Sequence, residues 1–253
     1  QNMKICIFDT ETTGLEKPYC YNIGWVIYDT VEEKVLFTAD YVVEQIWHNM
    51  ELFNTAYYAD KRPLYVKAMR ARKTKMEKFG NICQAMLRSF KFYEVEGAYA
   101  YNSPFDVKVF NFNCDWFKCI NPFDEIPVFD IRGYAYKLIK ENWKEFTTFC
   151  EEEERFTESG NYSSTAETLY AFISGEREFK EEHTALADSL IETEILWYCL
   201  DRGAQVNTEY EVQKTLPRKV LKELTLIDSA GDKHSFCYES FRMNKEKTKI
   251  TLK

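Results

Sequence analysis

Positive charge is in short supply in this chain. Lys and Arg number 33 against 41 Asp and Glu, giving a net charge of −8. That balance argues against a protein that tracks along a duplex through its phosphates. It stays compatible with gripping a short strand end, where bound cations supply the positive charge. Zinc-type spacing is missing too. The eight cysteines, at 6, 20, 83, 114, 119, 150, 199 and 237, form no CxxC pair and no Cys/His pattern. With no signal peptide in view they read as thiols of a reducing, cytoplasmic protein, Cys6 being a small buried hydrophobe. No apolar run approaches the roughly 18 residues of a membrane span, so no membrane partner is expected. Histidine is rare, with three in the chain. Internal repeats and low-complexity tracts are absent.

What is abundant is aromatic side chains, 16 % of the residues, and most of them must be core because rings bury large apolar areas. The length suits one domain with an extension or a small second domain. The apolar run Ile5-Cys6-Ile7-Phe8 predicts a central strand covered on both faces. Asn22–Tyr28 and Val35–Val43 predict two more strands joined by a turn near Asp29–Lys34, an antiparallel start to a mixed sheet. Gln45–Phe92 reads as mostly helical with a break at Pro63. It holds a basic stretch, Lys67, Arg70, Arg72, Lys73, Lys75 and Lys78, expected to be a solvated face or a backbone-tracking strip.

Beyond it, Gly97–Tyr101 and Pro127–Phe129 read as short strands, and Phe105–Phe117 and Ile131–Lys140 as helices. Glu151–Glu154 reads as an acidic loop. Ser163 or Ser164 is expected to cap a helix ending at Gly175. A last helix over 184–200 shows an apolar stripe of Ala187, Leu190, Ile191, Ile195 and Tyr198. After Gly203 the chain changes character: Pro217, a helical stretch, and an expected hairpin around Ser229–Asp232.

Three short segments stand out. Phe8-Asp9-Thr10-Glu11-Thr12-Thr13-Gly14 puts two acids on one face at the end of a strand. Asn102-Ser103-Pro104-Phe105-Asp106 places an acid at a strand-to-helix junction. His183 precedes Asp188 by five residues, which suits a loop histidine ahead of a helix that carries the acid. Taken singly, each has a plain alternative: solvated turn acids, an acid at a helix N-terminus, a surface histidine. Brought to one spot, Asp9, Glu11, Asp106 and Asp188 would repel unless cations or protons compensate them. Oxygen-rich sets suit Mg²⁺ or Mn²⁺, and a histidine beside two such ions can carry protons. That constellation hydrolyses phosphodiesters. His48 and His234 have no acidic partner pattern and read as structural or exposed.

In order and spacing these segments resemble the DnaQ-like, or DEDDh, family of 3′→5′ exonucleases, which includes the epsilon proofreading subunit of DNA polymerase III and ribonuclease T. Asp9-Thr10-Glu11-Thr12-Thr13-Gly14-Leu15 is similar to the first family motif, Asn102–Asp106 to the second, and His183 with Asp188 to the third. Asn22-Ile23-Gly24 also looks like the family. The resemblance spans about Lys4 to Leu200.

It implies an α/β fold, an RNase H-like mixed β-sheet flanked by helices over 1–203; the helical stretch 45–92, read as an insertion, and the C-terminal extension 204–253 fall outside the match. It implies that Asp9, Glu11, Asp106 and Asp188 hold two divalent cations, Mg²⁺ or Mn²⁺, and that His183 is the general base. Thr12, Thr13 and Gly14 would meet the terminal sugar through backbone N–H groups, Leu15 and Phe105 would pack on the last base, and Asn102 would line the pocket. The plainer reading of Leu15 and Phe105 is core packing. The expected substrate is a single-stranded 3′ end, DNA ahead of RNA, releasing nucleoside 5′-monophosphates. An RNA-trimming role of ribonuclease T or oligoribonuclease type, and service as a proofreading subunit bound to a DNA polymerase, stay open.

Overall fold

The computed structural model describes residues 3–212, together with the backbone of 222–227 and 233–238. The first compact unit is built on a six-stranded mixed sheet in the order β4-β3-β2-β1-β5-β6. Strand β1 (Lys4–Thr12) pairs antiparallel with β2 (Cys20–Asp29), and β2 antiparallel with β3 (Lys34–Val43). Asp29 makes the hairpin turn: its buried carboxylate accepts from the N–H groups of Val31 (2.9 Å) and Glu32 (3.0 Å), the usual turn chemistry of an Asx side chain. On its other side β1 runs parallel to β5 (Val95–Ala100), which runs parallel to β6 (Val128–Asp130).

Period-2 alternation divides the core. Cys6 and Phe8 face one apolar cluster and Ile5 and Ile7 the other, all fully buried. The first cluster is covered by the insertion and by α5 (Ser103–Phe117). The second is covered by α6 (Ile131–Glu141), α7 (Trp143–Glu152), α8 (Ala166–Ser174) and α9 (Ala185–Asp201).

The insertion comprises α1 (Glu44–Trp47), α2 (Met50–Phe53), a 3-10 turn (Ala59–Lys61), α3 (Arg62–Arg70), β4 (Lys75–Glu77) and α4 (Phe79–Tyr93). Pro63 does not break a helix. It sits in the first turn of α3, where a missing N–H costs no hydrogen bond. The basic side chains from Lys67 to Lys78 are exposed.

Other expectations shift for local reasons. Glu151 and Glu152 lie in α7 rather than a loop, because Phe146, Phe149 and Cys150 bury one helical face beneath them. Thr165, not Ser163 or Ser164, caps α8 by accepting from Thr168 N at 3.3 Å. Gly175 ends that helix at φ +76°.

The stripe expected on α9 is not its inner face. Leu190 is 38 % exposed, and of the stripe only Ile195 is buried, while Asp188, Ser189, Glu192 and Thr193 point inward. The start of this helix lies close on the sheet: a Cβ on Gly24 of β2 would lie 2.2 Å from the backbone nitrogen of Leu186.

The compact unit ends at Val212, past the expected boundary at 203. Residues 204–212 run along the sheet edge: Val212 N donates to Val128 O (2.7 Å), Asp130 N to Tyr210 O (2.9 Å) and Asn207 N to the Tyr99 hydroxyl (2.7 Å). In the second unit, β7 (Lys222–Ile227) and β8 (Lys233–Tyr238) form an antiparallel pair, as the expected hairpin requires. The helical stretch expected after Pro217 lies outside the described residues. No helix among the described residues is long and apolar enough to cross a membrane.

Candidate active site

The C-terminal end of β1 delivers the first two acids. Asp9 and Glu11 follow Ile5 and Ile7 on the face that α9 covers, and Asp188 is the fourth residue of α9. Carboxylate oxygens of Asp9, Glu11 and Asp188 all lie within 4.8 Å of one another. A register shift between Glu11 and Thr12 ends the regular pairing there; such bulges re-aim side chains at strand ends.

Helix α9 is steered onto this spot by β2. The fully buried Asn22 accepts from Ala185 N at 2.8 Å, serving the start of a helix whose own N-cap, Thr184, makes no side-chain cap bond. Asn22 is itself fixed by donating to Asp40 (2.7 Å) and to Tyr41 O (2.9 Å). Ser189 donates to Gly24 O at 3.2 Å, one turn further along.

Asp106 stands outside the group of three. It arrives on α5 from the other face of the sheet and accepts from Thr10 Oγ1 at 2.6 Å, so the strand residue between Asp9 and Glu11 ties it to the pair. His183 lies on the loop before α9 with its Nδ1 3.5 Å from Glu181 Oε2 and 4.0 Å from Asp188 Oδ2. All five expected residues therefore meet at one end of β1.

The electrostatics are those of a crowded anionic site. Burial, then Asp106 and Glu181, hold Asp9 well above the usual carboxylate range, and burial, then Asp9 and Asp188, do the same to Glu11. Asp188 is pushed up to about 9 by burial, with Asp9 and Glu181 adding to it and Lys61 opposing. Asp106 is pushed up to about 7, chiefly by burial, against the Thr10 hydrogen bond. His183 is held below its ordinary value by burial and by Lys61.

The Oδ1 of Asp188 is buried with no hydrogen-bond partner. A buried carboxylate oxygen without a donor is costly. A hard divalent cation satisfies that oxygen and compensates its neighbours, so the residues present fit one.

The expected pocket residues divide. Thr13 N–H is committed to Tyr19 O (3.0 Å), and Thr12 Oγ1 donates to Gly14 O (3.1 Å), fixing the loop after β1. Leu15 is 74 % exposed at the tip of that loop, with Lys108 Nζ donating to its carbonyl at 2.6 Å, so it is not core. Phe105 packs half-buried against the first apolar cluster. Asn102 adopts φ 63°, and its N–H donates to Asp130 at 2.9 Å.

Sequence reasoning missed three neighbours. Glu192 is buried one helical turn after Asp188 and accepts from Tyr101 N at 3.1 Å; burial, Asp9 and Asp106 hold its pKa high. The i, i+4 spacing from Asp188 was its available signal. Glu181 is pushed up to about 7 by burial and Glu167. Lys61, from the insertion, donates to Glu182 O, a contact across 121 residues with no sequence signal.

No protein-family model and no curated protein matches the chain. Solved structures do. The nuclease domain of 3'hExo, a DEDDh family member bound to rAMP, superposes with a TM-score of 0.56 at 14 % identity, covering 83 % of this chain and 98 % of that one. Cell-death related nuclease 4 gives 0.51 at 13 % identity, over 79 % of this chain and 64 % of that one. A product-bound exonuclease I gives 0.51 at 13 % identity, over 80 % of this chain and 44 % of that one. The mixed sheet flanked by helices is thus the RNase H-like fold of DEDDh exonucleases.

Proposed function

We propose that this chain is a metal-dependent 3′→5′ exonuclease that releases nucleoside 5′-monophosphates from single-stranded DNA ends. The observation that carries the reading is the convergence of Asp9, Glu11 and Asp188 within 4.8 Å, with a buried, unpartnered oxygen among them. Asp9, Glu11 and Asp188 would hold one divalent cation, and Asp9 with Asp106 a second. When bound, such ions supply positive charge to the attacking water and to the departing 3′ oxygen.

His183 takes the water's proton on its imidazole. Its lowered pKa leaves it neutral, and so ready to accept, at physiological pH. Thr10 holds Asp106 in place through its hydroxyl. Leu15, exposed at the loop tip, would wedge against a terminal base, and Phe105 would offer an apolar floor; such contacts tolerate any base.

RNA is the competing substrate, because the 3'hExo structure carries a ribonucleotide, rAMP. Digestion of 3′-labelled and 5′-labelled DNA and RNA oligonucleotides side by side, with Mn²⁺ and with EDTA, tests metal dependence, direction and sugar preference together. The expected result is stepwise loss from the 3′ end of DNA, abolished by chelator and restored by Mn²⁺. Full activity in chelator would defeat the reading, and faster loss of RNA would reverse the sugar assignment.

A further inference from the structure

We infer that the insertion supplies positioning residues for the base: Tyr58 and Lys61 brace the loop that carries His183. This rests on the exonuclease reading for its meaning, although the contacts themselves do not. His183 sits at φ 55°, a left-handed conformation that is uncommon for a non-glycine residue and costs energy its surroundings must offset. The segment from Gly175 to Thr184 holds no helix or strand, and the helix that follows has no cap from its own N-terminal side chain. Something other than local structure has to fix the imidazole.

Two contacts from one short stretch do so. The ring of Tyr58 stacks on the His183 imidazole with centroids 4.2 Å apart and planes 13° from parallel. One turn on, Lys61 Nζ donates to the carbonyl of Glu182, the peptide immediately before His183. The same ammonium lies 4.9 Å from the Tyr58 centroid, so the two side chains also hold each other.

The stretch is itself rooted. Arg62 follows directly, with its guanidinium 3.7 Å from the Trp47 ring and a hydrogen bond to Trp47 O at 3.1 Å. Trp47, Phe53 and Tyr65 are buried in the first core cluster. On the loop's far side Glu181 N donates to Glu167 Oε2 (2.9 Å), and Glu167 is paired with Arg155 at 2.6 Å. The base is gripped between this ion pair and the insertion, and a reacting group held in register gains rate through orientation. The insertion is then part of the active site, not an appendage to it.

Tyr58→Ala should lower kcat about 10–100-fold, the scale of a misoriented group, with KM changed less than about twofold, while Tyr58→Phe, which keeps the ring, restores kcat. Lys61→Ala should move kcat in the same direction. Amide exchange at 181–184 should quicken in Tyr58→Ala while that of the sheet stays as in wild type. Unchanged kcat together with unchanged exchange would overturn the brace. So would a rise confined to KM, which would make the ring a substrate contact. Wild-type protein inert with Mn²⁺ on every oligonucleotide would sink the exonuclease reading instead, and the exchange comparison would still decide the brace: faster exchange upholds it, unchanged exchange removes it.

Discussion

A carboxylate whose pKa is higher in the folded chain than in the unfolded one prefers its proton when folded. Its contribution to stability is complete below the unfolded value, roughly 4, and is lost as pH rises through the folded value. With Asp106 at about 7 and Asp188 at about 9, the metal-free protein should become less stable from about pH 5 to about pH 9. Divalent cation should reverse that slope by compensating the ionised set. Thermal unfolding in EDTA and in Mn²⁺ across this range checks it, and a melting temperature that climbs with pH in EDTA would contradict it.

Asp188→Asn removes the unpartnered anionic oxygen. It should raise the melting temperature of the metal-free protein at alkaline pH, erase most of the Mn²⁺ shift and abolish turnover, a trade of activity for stability. His183→Ala should cut turnover by about 10²–10⁴-fold, the usual worth of a general base, without touching the Mn²⁺ melting shift. An equal loss of that shift would make His183 a ligand. Because burial and Lys61 lower the His183 pKa, the acid limb of kcat should fall below the ordinary histidine value of about 6.5.

At the scale of elements, the site depends on how closely α9 can lie against β2. A Cβ at Gly24 would meet Leu186 N at 2.2 Å and Ala185 C at 2.4 Å, both backbone atoms that no rotamer change can move. Gly24→Ala should therefore shift α9 outward by about 1 Å, cost about 1–3 kcal/mol as an overpacked core does, and lower kcat by about 10²-fold through Asp188. Denaturant melts and turnover with Mn²⁺ would show whether both effects appear; wild-type turnover would mean that α9 does not need this approach.

The sheet's antiparallel start could be read from the apolar run Ile5–Phe8 and the turn at Asp29–Lys34, and the start of α5 from Pro104. The inner face of α9 could not, since Asp188, Ser189, Glu192 and Thr193 occupy it, and a periodicity search finds the more apolar but partly exposed stripe instead. Strand β4 escaped for another reason: three residues, Lys75 to Glu77, carry no alternation to detect. That Asp9, Glu11, Asp106, His183 and Asp188 converge was expected from the order and spacing of their three segments. Tyr58 and Lys61 were not, because nothing local links them to a histidine more than 120 residues away.

For the molecule as a whole, the question is where the folding unit of the site ends. Chain character changes after Gly203, yet residues 204–212 are bound into the sheet edge. Glu211 bridges antiparallel to Phe129, the Tyr99 hydroxyl donates to Asn207 Oδ1 at 2.6 Å, and the Tyr134 hydroxyl donates to the carbonyls of Gln205 (3.1 Å) and Glu209 (3.0 Å). Tyr210 sits where a Cβ on Gly133 would be, 2.3 Å from its ring, so the strap is fitted to α6 rather than resting on it. Strand β6 would otherwise be an open edge of the sheet, with unpaired backbone groups that strands use to aggregate. A chain cut after 203 should expose that edge and the buried tyrosines, melt earlier and tend to associate, while one cut after 212 should keep the melting temperature and metal-dependent turnover of the first unit. Melting both truncations beside the full chain in Mn²⁺ is the check. Matching melts for the two would move the boundary back to Gly203 and reduce the strap to a surface contact, whereas loss of activity on cutting at 212 would assign residues 213–253 a part in catalysis.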